Sequence, residues 1–151
     1  MTRSIEIMDT TLRDGEQTSG VSYSPKEKLT IAKLLIEELK IDRIEVASAR
    51  VSDGELNSVK GITAWAKENN HLQRIEVLTF IDNNKSIEWL IKSGCKVQNL
   101  LTKGSLNHLE YQLKKTPTEH FEDISKIIQN AEKNSIETNI YLEDWSNGMK
   151  N

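Results

Sequence analysis

Asp9, Arg13, Asp14, Glu16 and Gln17 stand within the run Asp9-Thr10-Thr11-Leu12-Arg13-Asp14-Gly15-Glu16-Gln17. Carboxylates offer hard oxygen ligands to a divalent cation, and a guanidinium offers a fixed fork of donors to a carboxylate or an oxyanion. The run follows Ile5 to Met8, where Ile5 and Ile7 alternate as on a strand. Gly15, Ser19 and Gly20 then interrupt any regular element. The charged groups are thereby crowded onto the C-terminal tip of a first strand, where α/β proteins place their chemistry. The competing reading is a strand end with a solvated ion pair, Arg13 with Asp14 or Glu16, which contributes little.

The rest of the chain reads as alternating strands and helices. Strand one covers about Ile5 to Asp9. Ser24 caps a helix that starts at Pro25 and runs to about Lys40, with Leu29, Ala32, Leu35, Ile36 and Leu39 inward. Strand two is about Arg43 to Ala47, and a second helix runs from Asp53 to Glu68 with Leu56, Val59, Ile62 and Ala66 inward. Strand three is Arg74 to Phe80. A third helix follows Asp82-Asn83-Asn84, with Ile87, Leu90 and Ile91 inward. Strand four is Lys96 to Leu101. A short helix from Ser105 to Leu113 precedes a longer one from about Thr118 to Lys133, with Phe121, Ile124, Ile127, Ile128 and Ala131 inward. Strand five is Glu137 to Leu142. This order of β and α units implies a parallel sheet, about five strands with four helical crossovers. An open doubly wound sheet is one solution. No Gly-x-Gly-x-x-Gly follows the first strand, so a dinucleotide site has no support.

Composition excludes several classes of function. The 151 residues fit one ordinary domain. A net charge of -3 and the lack of any dense Lys/Arg block argue against nucleic acid. No apolar run is long enough to span a bilayer, so no membrane partner is expected. Met1 to Glu6 is polar and lacks the apolar core of a signal peptide. One cysteine, Cys95, excludes an intrachain disulfide and fits a reducing cytoplasm. It reads as a small buried thiol after Gly94, not as a nucleophile.

Leu12-Arg13-Asp14-Gly15-Glu16-Gln17, followed after ten residues by Lys28, resembles the N-terminal signature of the isopropylmalate, homocitrate and citramalate synthases. These are metal-dependent TIM-barrel enzymes of acyl-CoA Claisen chemistry, related to the hydroxymethylglutaryl-CoA lyases. Val46-Ala47-Ser48-Ala49-Arg50-Val51-Ser52 resembles the same family. Leu100-Leu101-Thr102-Lys103-Gly104-Ser105 and Tyr141-Leu142-Glu143-Asp144-Trp145-Ser146-Asn147-Gly148 resemble the branch with citramalate synthase and its near isopropylmalate synthase relatives. The resemblance spans essentially the whole chain. It implies a (β/α)8 barrel, which usually needs about 250 residues. Residues 1–151 are then the N-terminal half barrel, truncated after strand five, with Asp144 to Asn151 a site loop. A split barrel leaves edge strands and an apolar face uncovered, which predicts self-association, as a homodimer.

The resemblance also implies roles. Asp14 is a metal ligand whose partners come from a His-x-His motif. His71, His108 and His120 are not so spaced, and they read as a polar-turn residue and two water-facing helix residues. This half is thus expected to bind zinc, manganese or magnesium weakly or not at all. Arg13 is catalytic: acetyl-CoA loses a methyl proton, the enolate attacks a 2-oxo acid, and a fixed guanidinium stabilises the oxygen charge. Glu143 takes part in substrate positioning or proton handling, unless it is only a rim acid beside Asp144. Gln17 is a substrate contact by position. Leu78, Leu101 and Tyr141 either line an apolar wall suited to a methyl or isopropyl group or are ordinary barrel core. Asp9 either orients Arg13 or a later ligand or merely ends its strand. Arg50 either meets a rim acid or lies in solvent. Ser48 ends strand two, and Thr102, Lys103 and Gly104 end strand four near the substrate region. The expected function is condensation of acetyl-CoA with a 2-oxo acid, with the half barrel inactive alone. The alternatives are lyase-type carbon–carbon cleavage and a non-catalytic interaction module.

Overall fold

A computed structural model describes residues 5–150. The first four residues of the polar start at Met1, and Asn151 at the end of the Asp144–Asn151 loop, lie outside them. Five strands are β1 Met8–Asp9, β2 Arg43–Ser48, β3 Ile75–Thr79, β4 Val97–Lys103 and β5 Glu137–Glu143. The helices are α1 Pro25–Lys33, α2 Asp53–Glu68, α3 Lys85–Ser93, α4 Leu106–His108, α5 Pro117–Lys133 and α6 Trp145–Gly148. Five-residue π turns, Leu34–Glu38 and Leu109–Leu113, continue α1 and α4.

Local chemistry sets the helix starts. Ser24 accepts from Glu27 N–H while Glu27 reaches back to Ser24, and Pro25 stands in the first turn. Thr116, Glu119 and Pro117 repeat the device at α5, one residue earlier than the expected start. Ser52 caps α2 through Glu55 N–H, and Asp53–Glu68 has the bounds expected from its pattern. Gly94 ends α3 at φ 78°, and its N–H bonds to Ile91 O.

All strands pair in parallel in the order β1-β2-β3-β4-β5. Each new strand is added on the same edge. A doubly wound sheet would reverse that order, whereas barrel winding continues it. The molecule is therefore an α/β half barrel of five parallel strands with six helices. Ile44, Val46, Ile75, Val77 and Leu100 meet Val59, Ile62, Ile87, Leu90, Ile124 and Ile127 in one cluster between sheet and helices. Each such side chain contributes about 1.5–3 kcal/mol by leaving water. Cys95 lies in the same cluster, and burial pushes its thiol up to about 12, which makes it an inert core group.

Several expectations are corrected. Strand one is only Met8–Asp9, because Ile5 and Ile7 are exposed and reach no ladder partner beyond Arg43 N–H on Ile7 O. Strands two, four and five run further, to Ser48, Lys103 and Glu143, while strand three is shorter at both ends. Leu39, Ile91 and Phe121 are not inward but exposed. A helical stripe wider than the covered face leaves its flank in water. His120 does not face water: it is 2% exposed, and His108 is largely covered beside Asp144. Among the described residues no helix is long and apolar enough to cross a membrane.

Candidate active site

Leu12 to Gln17 fold back at the tip of β1. The N–H groups of Arg13, Asp14 and Gly15 converge on Thr10 O at 2.8 to 3.2 Å. Asp9 closes this turn by accepting from Thr11 N at 2.9 Å and Thr11 Oγ1 at 3.1 Å. Asp9 therefore shapes the turn and does not bond Arg13. Arg13 Nε donates to Glu45 on β2, and its Nη1 donates to Asp14 Oδ1 at 2.7 Å. Glu45 is fully buried, whereas the Asp14 side chain is 60% exposed. The charged groups thus do more than form a solvated pair: one arm of the guanidinium is anchored in the sheet interior. Arg13 and Gln17 border a cavity of about 250 Å3 with Leu12, Ala47, Ser48 and Glu55.

The inner face of the sheet is a polar ladder. Asn99 Nδ2 donates to Glu45 Oε1 at 2.7 Å and to Tyr141 Oη at 3.2 Å. Asn139 Nδ2 donates to Glu76 Oε2 at 3.0 Å, and Arg43 Nη1 donates to Glu76 Oε1 at 2.8 Å. Burial pushes the Glu76 carboxyl up, against the pull of Arg43 and Asn139. Tyr141 Oη donates to Met8 Sδ at 2.7 Å. Burial, with Glu45 and Glu76 nearby, pushes that hydroxyl up to about 12, so Tyr141 acts as a donor and not as a base. Sequence reasoning missed Glu45, Glu76, Asn99 and Asn139. The available signal was a charged or amide residue between apolar neighbours, as in Ile44-Glu45-Val46 and Ile75-Glu76-Val77.

A second cluster stands at the tips of β4 and β5. Lys103 Nζ pairs with Glu143, and Thr102 Oγ1 donates to Tyr141 O at 2.9 Å. Leu101 pairs with Tyr141 across the ladder, and both border an open concavity of about 450 Å3 with Leu142, Glu143 and Trp145. Leu78, 6% exposed on β3, does not border it. Gly104 N–H donates to Glu143 O at 2.7 Å. A Cβ on Gly104 would stand 3.1 Å from that oxygen, and one on Gly148 would stand 1.8 Å from Gly104 O. Two of the segments that carry the family resemblance therefore interlock through their glycines. Arg50 meets Asp82 at 2.7 Å, a rim pair remote from Arg13 in bonding.

No group of three or more His, Cys, Asp or Glu side chains able to hold a metal ion occurs among the described residues. Asp14 supplies one exposed oxygen donor set, and no histidine approaches it. The residues present do not by themselves fit a divalent cation. His120 Nε2 instead accepts from Lys103 N at 3.3 Å, and its Nδ1 is buried without a partner. Burial, then Lys115, holds its pKa below the ordinary value. The unfolded chain therefore takes up the proton first as pH falls. Stability is complete above about pH 6.5 and declines as pH drops from there toward the folded-state value. We expect the melting temperature to fall more steeply below pH 6.5 in the wild type than in His120→Gln; parallel curves would refute this.

A sequence model of the family described as HMGL-like matches residues 4–149. An (R)-citramalate synthase from Methanocaldococcus jannaschii is 36% identical over 140 residues, which cover 93% of this chain and 27% of that protein. A 2-isopropylmalate synthase from Pyrococcus furiosus is 35% identical over 144 residues, covering 95% and 28%. A hydroxymethylglutaryl-CoA lyase from Pseudomonas aeruginosa superposes with a TM-score of 0.67 at 16% identity, over 91% of this chain and 45% of that one. That likeness concerns the fold. The chain spans about a quarter of the length of the curated relatives it matches.

Proposed function

Because the chain belongs to the HMGL-like family, we propose that it is the N-terminal half of a (β/α)8 barrel whose whole protein condenses acetyl-CoA with a small 2-oxo acid. The activity is of the 2-isopropylmalate or citramalate synthase type. One observation carries the reading: Arg13, anchored on buried Glu45, borders a cavity at the tip of the first strand. Relatives named as synthases of this type, at 35% and 36% identity, give it its direction.

In this reading a base takes a proton from the methyl group of acetyl-CoA, the enolate carbon attacks the keto carbon, the resulting alkoxide takes up a proton, and water cleaves the thioester to give the hydroxy diacid and free coenzyme A. Negative charge grows on oxygen in the first two of these steps. Arg13 meets that charge already oriented, since Glu45 fixes its Nε side. Asp14 would contribute one ligand to a divalent metal that polarises the keto acid, with the remaining ligands outside this chain. Gln17 borders the same cavity and would contact substrate. Glu143, steadied by Lys103, would position substrate or handle the proton. Leu101 and Tyr141, with Leu78 behind them, would face the substituent of the keto acid. They offer no cation to a second carboxylate, which favours methyl or isopropyl over a dicarboxylic 2-oxo acid.

The test is release of free coenzyme A by the whole protein from acetyl-CoA with pyruvate or 2-oxoisovalerate. Turnover with either acid supports the reading. Cleavage of hydroxymethylglutaryl-CoA without condensation would replace it by a lyase, and neither reaction would leave the non-catalytic role.

A further inference from the structure

Lys28 takes no part in the chemistry above, yet its side chain is 1% exposed on α1. A buried ammonium is costly unless it is paired and hydrogen-bonded. Lys28 Nζ lies 2.5 Å from Glu16 Oε2 and 2.6 Å from Glu55 Oε1. Glu16 stands in the Gly15–Gln17 turn that directly follows Asp14, and its Oε1 accepts from Tyr23 N at 3.0 Å. Glu55 stands in the first turn of α2, where Ser52 holds its N–H. One ammonium thereby ties three segments together: the loop that carries Arg13, the helix that follows it, and the start of the next helix. Glu16 and Glu55 border the cavity alongside Arg13.

The loop thus has two anchors on opposite sides. Arg13 is held to the sheet by Glu45, and the turn after it is held to the helices by Lys28. Without the second anchor, Arg13 would keep Glu45 and Asp14 as partners, but Asp14 stands on the same turn and would move with it. We propose that Lys28 is a positioning residue that sets the location of Arg13 and Asp14 for the 2-oxo acid. This rests on the acyltransferase reading for its substrate, though not for the tether itself.

In the whole protein, Lys28→Met should raise KM for the 2-oxo acid roughly tenfold or more and lower kcat, because small displacements of an orienting group are costly. KM for acetyl-CoA should stay unchanged. Lys28→Arg should restore most of the loss, since its cation can still meet both carboxylates. A purely structural role would reduce the folded fraction and leave both KM values alone, which would overturn the proposal. Should Lys28→Met fail to fold, Glu16→Gln removes the charge at the exposed end of the tether and must show the same KM split. Hydrogen exchange supplies a readout independent of turnover. Amides of residues 12–23 should exchange faster in either variant while the β3 and β4 amides do not change. Unchanged exchange over 12–23 overturns the tether even if the protein condenses nothing, so the two readings fail separately.

Discussion

If the proposed acyltransferase role holds, replacing Arg13 by alanine should lower kcat/KM of the whole protein by about 10²–10³-fold, the scale set by losing one preorganised donor at a developing oxyanion. It also destabilises the fold by about 3–5 kcal/mol, because Glu45 then remains a buried carboxylate without its cation. The two effects separate in the double variant. Arg13→Ala with Glu45→Gln removes the unpaired charge and keeps an acceptor for Asn99, so stability returns while the rate does not. Arg13→Lys keeps the charge and loses the fork, so it repairs little of either. Coenzyme A release and urea titration are the measurements. An Arg13→Ala enzyme within threefold of wild type would sink the assignment.

The polypeptide of residues 1–151 alone is expected to form a dimer or larger species at micromolar concentration. Its last strand, β5, has seven residues and no neighbour on its outer edge among the described residues. Ile140 and Leu142 are exposed on that strand, and Trp145 and Phe121 are exposed beside it. Ahead of β1, at the other edge, Ile5 and Ile7 are exposed as well, and so are Leu34 and Leu39 on the turn that continues α1. An unpaired edge flanked by apolar side chains is a template for association. Static light scattering should give at least twice the monomer mass. Ile140→Lys with Leu142→Lys should shift the species toward monomer, because charge on an edge strand opposes pairing. A monomeric wild-type chain would refute the expectation.

Helix starts were legible because their determinants are local. Ser24 with Pro25 announces a start within a few residues, and the apolar spacing after Asp53 marks α2 from its own pattern. The crowding of Arg13 and Asp14 at a strand tip was legible for the same reason. What was not legible depends on contacts between distant segments. Glu45 reads as one polar residue in a strand, and only curvature of the sheet brings it to Arg13 and Asn99, 32 and 54 residues away. His120 has the spacing of the inward stripe of α5, shared with Ile124, Ile127 and Ala131, and it reads as water-facing only because its ring is polar; the partner that receives it, Lys103 N–H at the β4 tip, is distant in sequence. Phe121 errs in the opposite sense, since it stands one position off the stripe that α5 buries and is exposed. Leu78 and Tyr141 follow the inner-face alternation, but which concavity each borders is decided by register.

The contact between Gly104 and Gly148 bears on how substrate preference is redesigned in such a barrel. A Cβ on Gly148 would stand 1.8 Å from Gly104 O, so the end of β4 and α6 seat against each other with no room for a side chain there. Exchanging the Leu100–Ser105 segment with that of a relative leaves a mismatched seat for Asp144–Gly148, and the reverse graft does the same. If the synthase reading holds, specificity is expected to transfer between homologues only as a paired cassette, both segments from one parent, with single-segment chimaeras melting below either parent.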